Sequence, residues 1–331
     1  MDLTSAEGRP GLCNCNDFHA NALRFLVRPA DVDQVLIVGA STRAAGQSVL
    51  RAGLRPRAID LFADLDLAAI APVRRIDPAC YPDALADLAD HEPQTPWMYT
   101  GALENHPNLV DRITRRRPLW GNPGKVLLAV RDPMAMADAL RRAGLPCPDV
   151  RDRPDALPHD GTWLVKPRAS ASGRAIRPLE ANQDRRRFEP CYYQERIEGL
   201  PLAALFVADR DGATLLGVTR QILGENGFAY RGSLAPWPLE ADPRKRIEAL
   251  GRAIASAFPL VGLFGIDFVL RNGHPWPVEV NPRYTASVEV LEQALGRSLL
   301  TEHVRACAPK VAARLSPSRP SRPGPTRFVG K

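Results

Sequence analysis

Gly265-Ile-Asp-Phe-Val-Leu-Arg-Asn-Gly-His-Pro-Trp-Pro-Val-Glu-Val-Asn-Pro-Arg283 decides how this chain is read. Ile266 to Leu270 and Val278 to Val280 are β-prone and flank an Asn272-Gly273 turn, so the stretch reads as an antiparallel hairpin. A three-residue loop, Asn272 to His274, sets Asp267 opposite Glu279, and Asn281 follows two residues on, on the same face. Pro275 and Pro277 lack an N–H, so positions of their parity, Glu279 included, belong to non-hydrogen-bonded pairs with Cα atoms about 4.5 Å apart. Two carboxylates that close repel each other unless a cation lies between them. With the Asn281 carbonyl they form a hard-oxygen set suited to Mg²⁺. Asn-Gly also favours a two-residue loop, and that register sends Glu279 to the opposite face. The bland alternative is a half-buried hairpin with two solvated acids.

Glu-Val-Asn-Pro-Arg after a Gly-x-Asp-Phe strand resembles the metal and phosphate strands of the ATP-grasp superfamily, which includes biotin carboxylase and D-alanine:D-alanine ligase. The resemblance implies that Asp267 and Glu279 bridge Mg²⁺, or Mn²⁺ as a substitute, to the phosphates of ATP. It implies that Asn281 completes the coordination and that Arg283 faces the reacting acyl phosphate.

A second motif, Trp163-Leu-Val-Lys-Pro-Arg-Ala-Ser-Ala-Ser-Gly173, holds one of only five lysines among 44 basic residues. Arg is the default cation here, so Lys166 inside an apolar strand needs a reason. A compact ammonium beside a small-residue loop suits phosphate; the alternative is a surface lysine reaching off an edge strand. The resemblance favours phosphate and implies that Ser170, Ser172 and Gly173 belong to a flexible loop over the nucleotide. That loop is poorer in glycine than is usual. Cys191-Tyr-Tyr-Gln-Glu-Arg-Ile-Glu-Gly199 is similar to the family's adenine-binding hinge strand. By that similarity Gln194 and Glu195 bind through side chains, and Arg196 and Ile197 through the backbone. Many relatives carry a ribose-binding acid a few residues later, where this chain reads Leu200-Pro201-Leu202. Arg131-Asp-Pro133 departs further. Asp132 is a fair helix N-cap with Pro133 at the first helical position, but relatives place a phosphate-binding lysine where Pro133 stands. That contact is lost, or Arg131 or Lys125 supplies it.

The amino-terminal third carries a different signal. Asp33 to Leu50 reads as a buried strand, a glycine turn and a helix, and Arg57 to Phe62 as a second parallel strand. Gly39 and Gly46 with Arg43 between them do not make a dinucleotide fingerprint. Asp60, Asp64 and Asp66 meet a substrate at the sheet edge or are solvated loop acids. With Thr100 to Asn105 and Leu119 to Asn122, this region resembles predicted carboligases found near genes of tetrahydromethanopterin-linked one-carbon metabolism, a resemblance that runs from about Asp33 to Ala308. Glu104 and Asn105 serve substrate binding or cap a helix. Both readings stand.

At 331 residues and 45% apolar content the chain can bury a large core in two or three domains. The net charge of +7 is scattered arginine without interleaved aromatics, which disfavours a nucleic-acid footprint and suits an anionic substrate. Six cysteines without Cys-x-x-Cys repeats read as reduced thiols; Cys13, Cys15 and His19 are a weak soft-metal set in a polar leader. No signal peptide or spanning segment is read, so a cytoplasmic protein is expected. The expected fold is α/β, α+β in its nucleotide-binding part. It has a leader (1–30), a Rossmann-like domain (31–117), a small ATP-grasp lobe (118–192), a large lobe bearing the metal strands (193–310) and a Pro/Ser/Arg-rich tail (311–331). The expected function is a Mg- and ATP-dependent ligase joining a small-molecule carboxylate to an amine or other nucleophile, with homo-oligomerisation left open. Tyr230, Arg231, Ser233 and Tyr284 are proposed to shape the acceptor pocket. Alternatives are an ATP-binding scaffold without chemistry and, ranked last, a nicotinamide-dependent oxidoreductase.

Overall fold

Val35 to Val38 are wholly buried, as a strand covered on both faces requires, and they form the centre of a parallel sheet. In the computed structural model, which describes residues 33–180, 190–225, 227–315 and 329–330, that sheet has the order β3-β2-β1-β4. Its strands are β1 (Gln34–Val38), β2 (Arg55–Asp60), β3 (Val73–Arg75) and β4 (Trp97–Tyr99). Helices α1 (Arg43–Arg51), α2 (Leu65–Ala68) and α3 (Leu85–Asp90) make the crossovers. Strand order reverses between β1 and β4, and in open parallel sheets ligands bind outside the carboxyl ends at such a reversal. Ala40, Ser41 and Thr100 to Ala102 lie there and line the main cavity.

Helices α4 (Pro107–Thr114), α5 (Gly124–Val130) and α6 (Pro133–Arg142) lead into two antiparallel sheets. Asp132 caps α6 as expected, its carboxylate accepting from the backbone N–H groups of Met134 and Ala135. The smaller sheet has the order β5-β8-β6-β7, from β5 (Val150–Arg151), β6 (Asp160–Pro167), β7 (Arg177–Glu180) and β8 (Cys191–Glu195). β8 pairs with β6 along its whole length, so the expected border at 192/193 falls inside one strand. The larger sheet has the order β13-β12-β9-β10-β11-β14. Its strands are β9 (Leu200–Asp209), β10 (Gly212–Leu223), β11 (Tyr230–Ala235), β12 (Gly262–Arg271), β13 (His274–Asn281) and β14 (Val329–Gly330). One face of this sheet is covered by α7 (Ala241–Ala257); Phe206 and Phe264 stack in that core, ring centroids 5.2 Å apart.

The other face receives α8 (Ala286–Leu295), α9 (Leu300–Cys307) and α10 (Pro309–Ala312), and through α8 it meets α1 of the first domain. A buried polar network makes that joint. Glu292 accepts from Ser48 at 2.6 Å and from Arg51 at 2.6 Å, and its other oxygen takes the backbone N–H of Leu299 and Leu300. Ser48 also meets the Tyr284 hydroxyl at 2.8 Å. Every oxygen of a carboxylate so deeply placed is used, which makes the joint specific as well as tight. The expected α/β class, with a Rossmann-like opening followed by two lobes, is the fold found, and both lobes are built on antiparallel sheets.

Candidate functional site

The decisive hairpin reaches the expected pairing by an unexpected route. Its loop has two residues, not three: Arg271 pairs with His274, and Asn272 and Gly273 take φ of 51° and 72°. Both central residues in the left-handed region give the hairpin turn that Asn-Gly favours. Left alone, this register would turn Glu279 away. A β-bulge between Asp267 and Phe268 inserts Val278 as an extra residue, and Asp267 then pairs with Glu279 and Gly265 with Asn281. The Val278 carbonyl accepts from Lys166 Nζ at 3.0 Å. One irregularity therefore returns both acids to one face and anchors the lysine.

Lys166 enters from β6, where it is buried, and its ammonium also donates to Gln194 Oε1 at 3.0 Å and lies 5.6 Å from the centre of the Tyr192 ring. Burial works against this charge, yet Tyr192 and the carboxylates of Glu279 and Asp267 outweigh it and hold the ammonium above its usual range. Asp267 shows the opposite balance. Burial and the like charge of Glu279 push its carboxyl up to about 7, against the pull of Arg283, Gln221 and Asn281. A divalent cation between Asp267 and Glu279 would remove the repulsion that raises it. The donor set of two carboxylates and the Asn281 amide therefore fits Mg²⁺. Among the described residues no group of three or more His, Cys, Asp or Glu side chains offers another metal cluster.

Arg283 follows β13 into the same cleft. Its guanidinium donates to Glu104 Oε1 at 2.6 Å, to Asn281 Oδ1 at 3.0 Å and to the Tyr284 carbonyl at 3.1 Å. Burial opposes its charge, but Glu104 and the acids of the hairpin keep it firmly protonated. Burial likewise works against the Glu104 carboxylate, whose range is nonetheless lowered by Arg283 and Arg131. Glu104 neither caps a helix nor lies exposed. It is a first-domain acid fixing an arginine that follows it by 179 residues.

One cavity of about 780 Å³ gathers Lys166, Ser172, Gly173, Gln194 to Ile197, Asp267, Glu279, Asn281 and Arg283. Ser170 lies instead on a smaller side cavity, and its carbonyl accepts from Asn105 Nδ2 at 3.2 Å. The loop of Ser172 and Gly173 is seated on the larger lobe: Tyr230 N donates to the Ser172 carbonyl at 3.0 Å. A Cβ on Gly173 would fall 1.9 Å from the Phe228 carbonyl oxygen. With φ at 67° as well, glycine is required there.

Several expected roles shift. Gln194 gives its side-chain oxygen to Lys166, and Glu195 Oε2 accepts from the backbone N–H of Asp149, while both residues line the main cavity. The Arg196 N–H is bonded to the Thr162 carbonyl, which leaves its carbonyl for any hinge contact. Asp60 is buried and accepts four bonds, from Thr42 N, Thr42 Oγ1, Phe62 N and Ala63 N; it shapes the turns after β1 and β2 and lines neither of these two cavities. Asp66 pairs with Arg43 on the exterior. Arg231 and Ser233 are absent from the cleft wall, whereas Tyr230 and Tyr284 belong to it. Cys13, Cys15, His19 and most of the expected tail lie outside the described residues; Cys80, Cys147, Cys191 and Cys307 are free thiols. No helix among the described residues is long and apolar enough to cross a membrane. Sequence reasoning passed over Gln221 and Glu198, both in the cleft wall. Glu198 stands two residues before Leu200-Pro201-Leu202, the stretch where relatives carry a ribose-binding acid.

Residues 130–287 match the ATP-grasp domain family. That match spans just under half of the chain, and the fold as a whole is like that of solved ATP-grasp structures. An uncharacterized protein of Methanocaldococcus jannaschii is 24% identical over 293 residues, covering 80% of this chain and 72% of the relative. Among solved structures, the ADP complex of an N5-carboxyaminoimidazole ribonucleotide synthetase superposes with a TM-score of 0.68 at 16% identity, over 90% of this chain and 80% of that one. The biotin carboxylase domain of Hydrogenobacter thermophilus 2-oxoglutarate carboxylase, bound to MgADP, ADP and bicarbonate, gives 0.69 at 17% identity, over 83% and 69%.

Proposed function

We propose that this protein is a Mg²⁺- and ATP-dependent ligase that phosphorylates a small-molecule carboxylate and transfers the acyl group to an amine or other nucleophile. One observation carries this reading: Asp267 and Glu279 stand opposite each other across β12 and β13, with Asn281 beside them, in the same cleft as Lys166 and Arg283. Mg²⁺ held by Asp267, Glu279 and Asn281 would neutralise and align the phosphates of ATP. Lys166, fixed by Gln194 and Val278, presents a point charge to phosphate oxygens. Arg283, clamped by Glu104, is set to stabilise charge on the acyl phosphate where it meets the acceptor. The acceptor approaches from the Rossmann-like side, between Ala40, Ser41 and Thr100 to Ala102, and holding it there supplies rate by proximity. ADP and bicarbonate in the H. thermophilus domain, and the carboxyamino product named for the synthetase, support carboxylate activation as the reaction class. The sequence resemblance to carboligases near tetrahydromethanopterin-linked genes makes precursors of such a cofactor the acceptors to test first.

The test is incubation with Mg-ATP, paired carboxylates and amines, and hydroxylamine as a trap. The expected result is phosphate release coupled to one carboxylate, with its hydroxamate formed in the trap. Binding of Mg-ATP without phosphate release across the panel would instead favour an ATP-binding scaffold.

A further inference from the structure

We infer that Arg131 is a ligand for the terminal phosphoryl oxygens of the nucleotide, replacing the cation that Pro133 removes from the start of α6. This rests on the proposed ATP-dependent reading of the cleft.

Arg131 sits in the two-residue joint between α5 and α6. Its backbone is pinned from both sides, by its own N–H on the Leu127 carbonyl and by Asp132 capping the next helix. The side chain is 12% exposed and points into a side cavity of about 60 Å³, more room than one water needs. That cavity shares Lys166, Ile176, Gln194, Val278 and Glu279 with the main cleft, so the two adjoin at the metal end. Lys125, the other basic residue in reach by sequence, is exposed on α5 and lines neither space.

The charges around the side cavity favour an anion. Its cations are Arg131, Lys166 and Arg168, and its carboxylates are Asp132 and Glu279. Asp132 is spent on helix N–H groups, and Arg168 on Asp152. Arg131 has only distant partners, Glu104 Oε1 at 3.5 Å and Glu279 Oε1 at 3.9 Å, and its Nη1 is buried without a hydrogen bond. Glu104 gives its close contact to Arg283 instead. A buried donor without an acceptor is costly, and one that faces a cavity suits a partner that arrives with a ligand. When Glu279 turns its charge to a divalent cation, Arg131 loses its weaker acceptor and needs an oxyanion more.

Calorimetry of ATP, with and without Mg²⁺, and of adenosine tests this on wild-type protein, Arg131→Met and Arg131→Lys. Loss of one charge-assisted bond predicts ATP affinity roughly 10- to 100-fold weaker in Arg131→Met. The same account predicts unchanged adenosine affinity, partial recovery in Arg131→Lys and partial rescue of Arg131→Met turnover by millimolar guanidinium. Equal weakening for ATP and adenosine would reduce Arg131 to a structural ion pair and overturn the inference, as would ATP affinity within about twofold of wild type. A defect confined to the KM of the carboxylate at saturating ATP would assign the oxyanion to the other substrate and overturn it too. If wild-type protein fails to bind ATP, the functional reading falls along with it; if wild type binds and only the Arg131 arms fail, this inference falls alone.

Discussion

Asp60 and Asp267 are both aspartates on interior strands of a sheet, yet their surroundings differ in kind. Asp60 is surrounded by donors: three backbone N–H groups and one hydroxyl take up its oxygens, and the reward is a fixed turn between β1 and α1. Asp267 faces another carboxylate, and its pKa rises to about 7 because burial and Glu279 outweigh the groups that favour its charge. Satisfied acids build structure; an acid held against a like charge is waiting for a cation. The contrast separates the scaffold of this molecule from its chemistry.

The largest effect should come from the hairpin. Asp267→Asn and Glu279→Gln are each expected to lower kcat at least about 100-fold, the scale on which loss of one charge-stabilising group acts. Thermal unfolding should not suffer, since removing one of two facing carboxylates relieves repulsion. Asp60→Ala should invert the pattern. It strands buried N–H groups and is expected to cost about 3 kcal/mol by urea denaturation, while kcat stays near wild type. If both substitutions behave alike, the division between scaffold and site is wrong.

His303 sharpens the comparison with a third buried titratable group. Its Nδ1 accepts from Leu263 N at 2.9 Å, and its Nε2 faces the Trp120 carbonyl at 3.3 Å, so the ring is held neutral. Burial lowers its pKa from 6.5 to about 4. Between those values the unfolded chain binds the extra proton, so stability is fully present above pH 6.5 and is lost as pH falls toward 4. The expected loss is about 3 kcal/mol, read from denaturation midpoints across that range; a His303→Asn variant should lack the slope. Gly173→Ala should give the smallest effect, a roughly tenfold rise in the KM for ATP from about 1–2 kcal/mol of left-handed backbone cost and the clash with Phe228. An unchanged KM would mean that the loop need not sit on Phe228 during turnover.

How far the sequence discloses this site follows from the range of each interaction. Side-chain parity within one hairpin is local, so Asp267, Glu279 and Asn281 could be placed together before any coordinates. The route to that placement was hidden: the turn obeys Asn-Gly, and nothing in the residue type of Val278 announces a bulge. Lys166 stood out as a rare lysine in an apolar strand, but the pairing of β6 with β8 that brings Gln194 to it depends on register between segments. Glu104 was visible as a candidate, but its ion pair with Arg283 was not, because Arg283 is remote in the chain. Arg117 shows the same limit. It ends the run Arg115-Arg116-Arg117, a composition usually found in solvent, yet it is fully buried, where it donates to the carbonyls of Ala89, Glu92 and Pro93 at the end of α3. The parallel sheet was legible for the opposite reason, since a buried strand, a turn and a helix are written in consecutive residues.

Electron paramagnetic resonance of Mn²⁺ added with ATP addresses the paired carboxylates most directly. Wild-type protein should convert free Mn²⁺ to a bound signal at stoichiometric protein, and Glu279→Gln should leave most of it free while still binding adenosine. Equal Mn²⁺ capture by wild type and by Glu279→Gln would contradict the claim that Asp267 and Glu279 hold the ion.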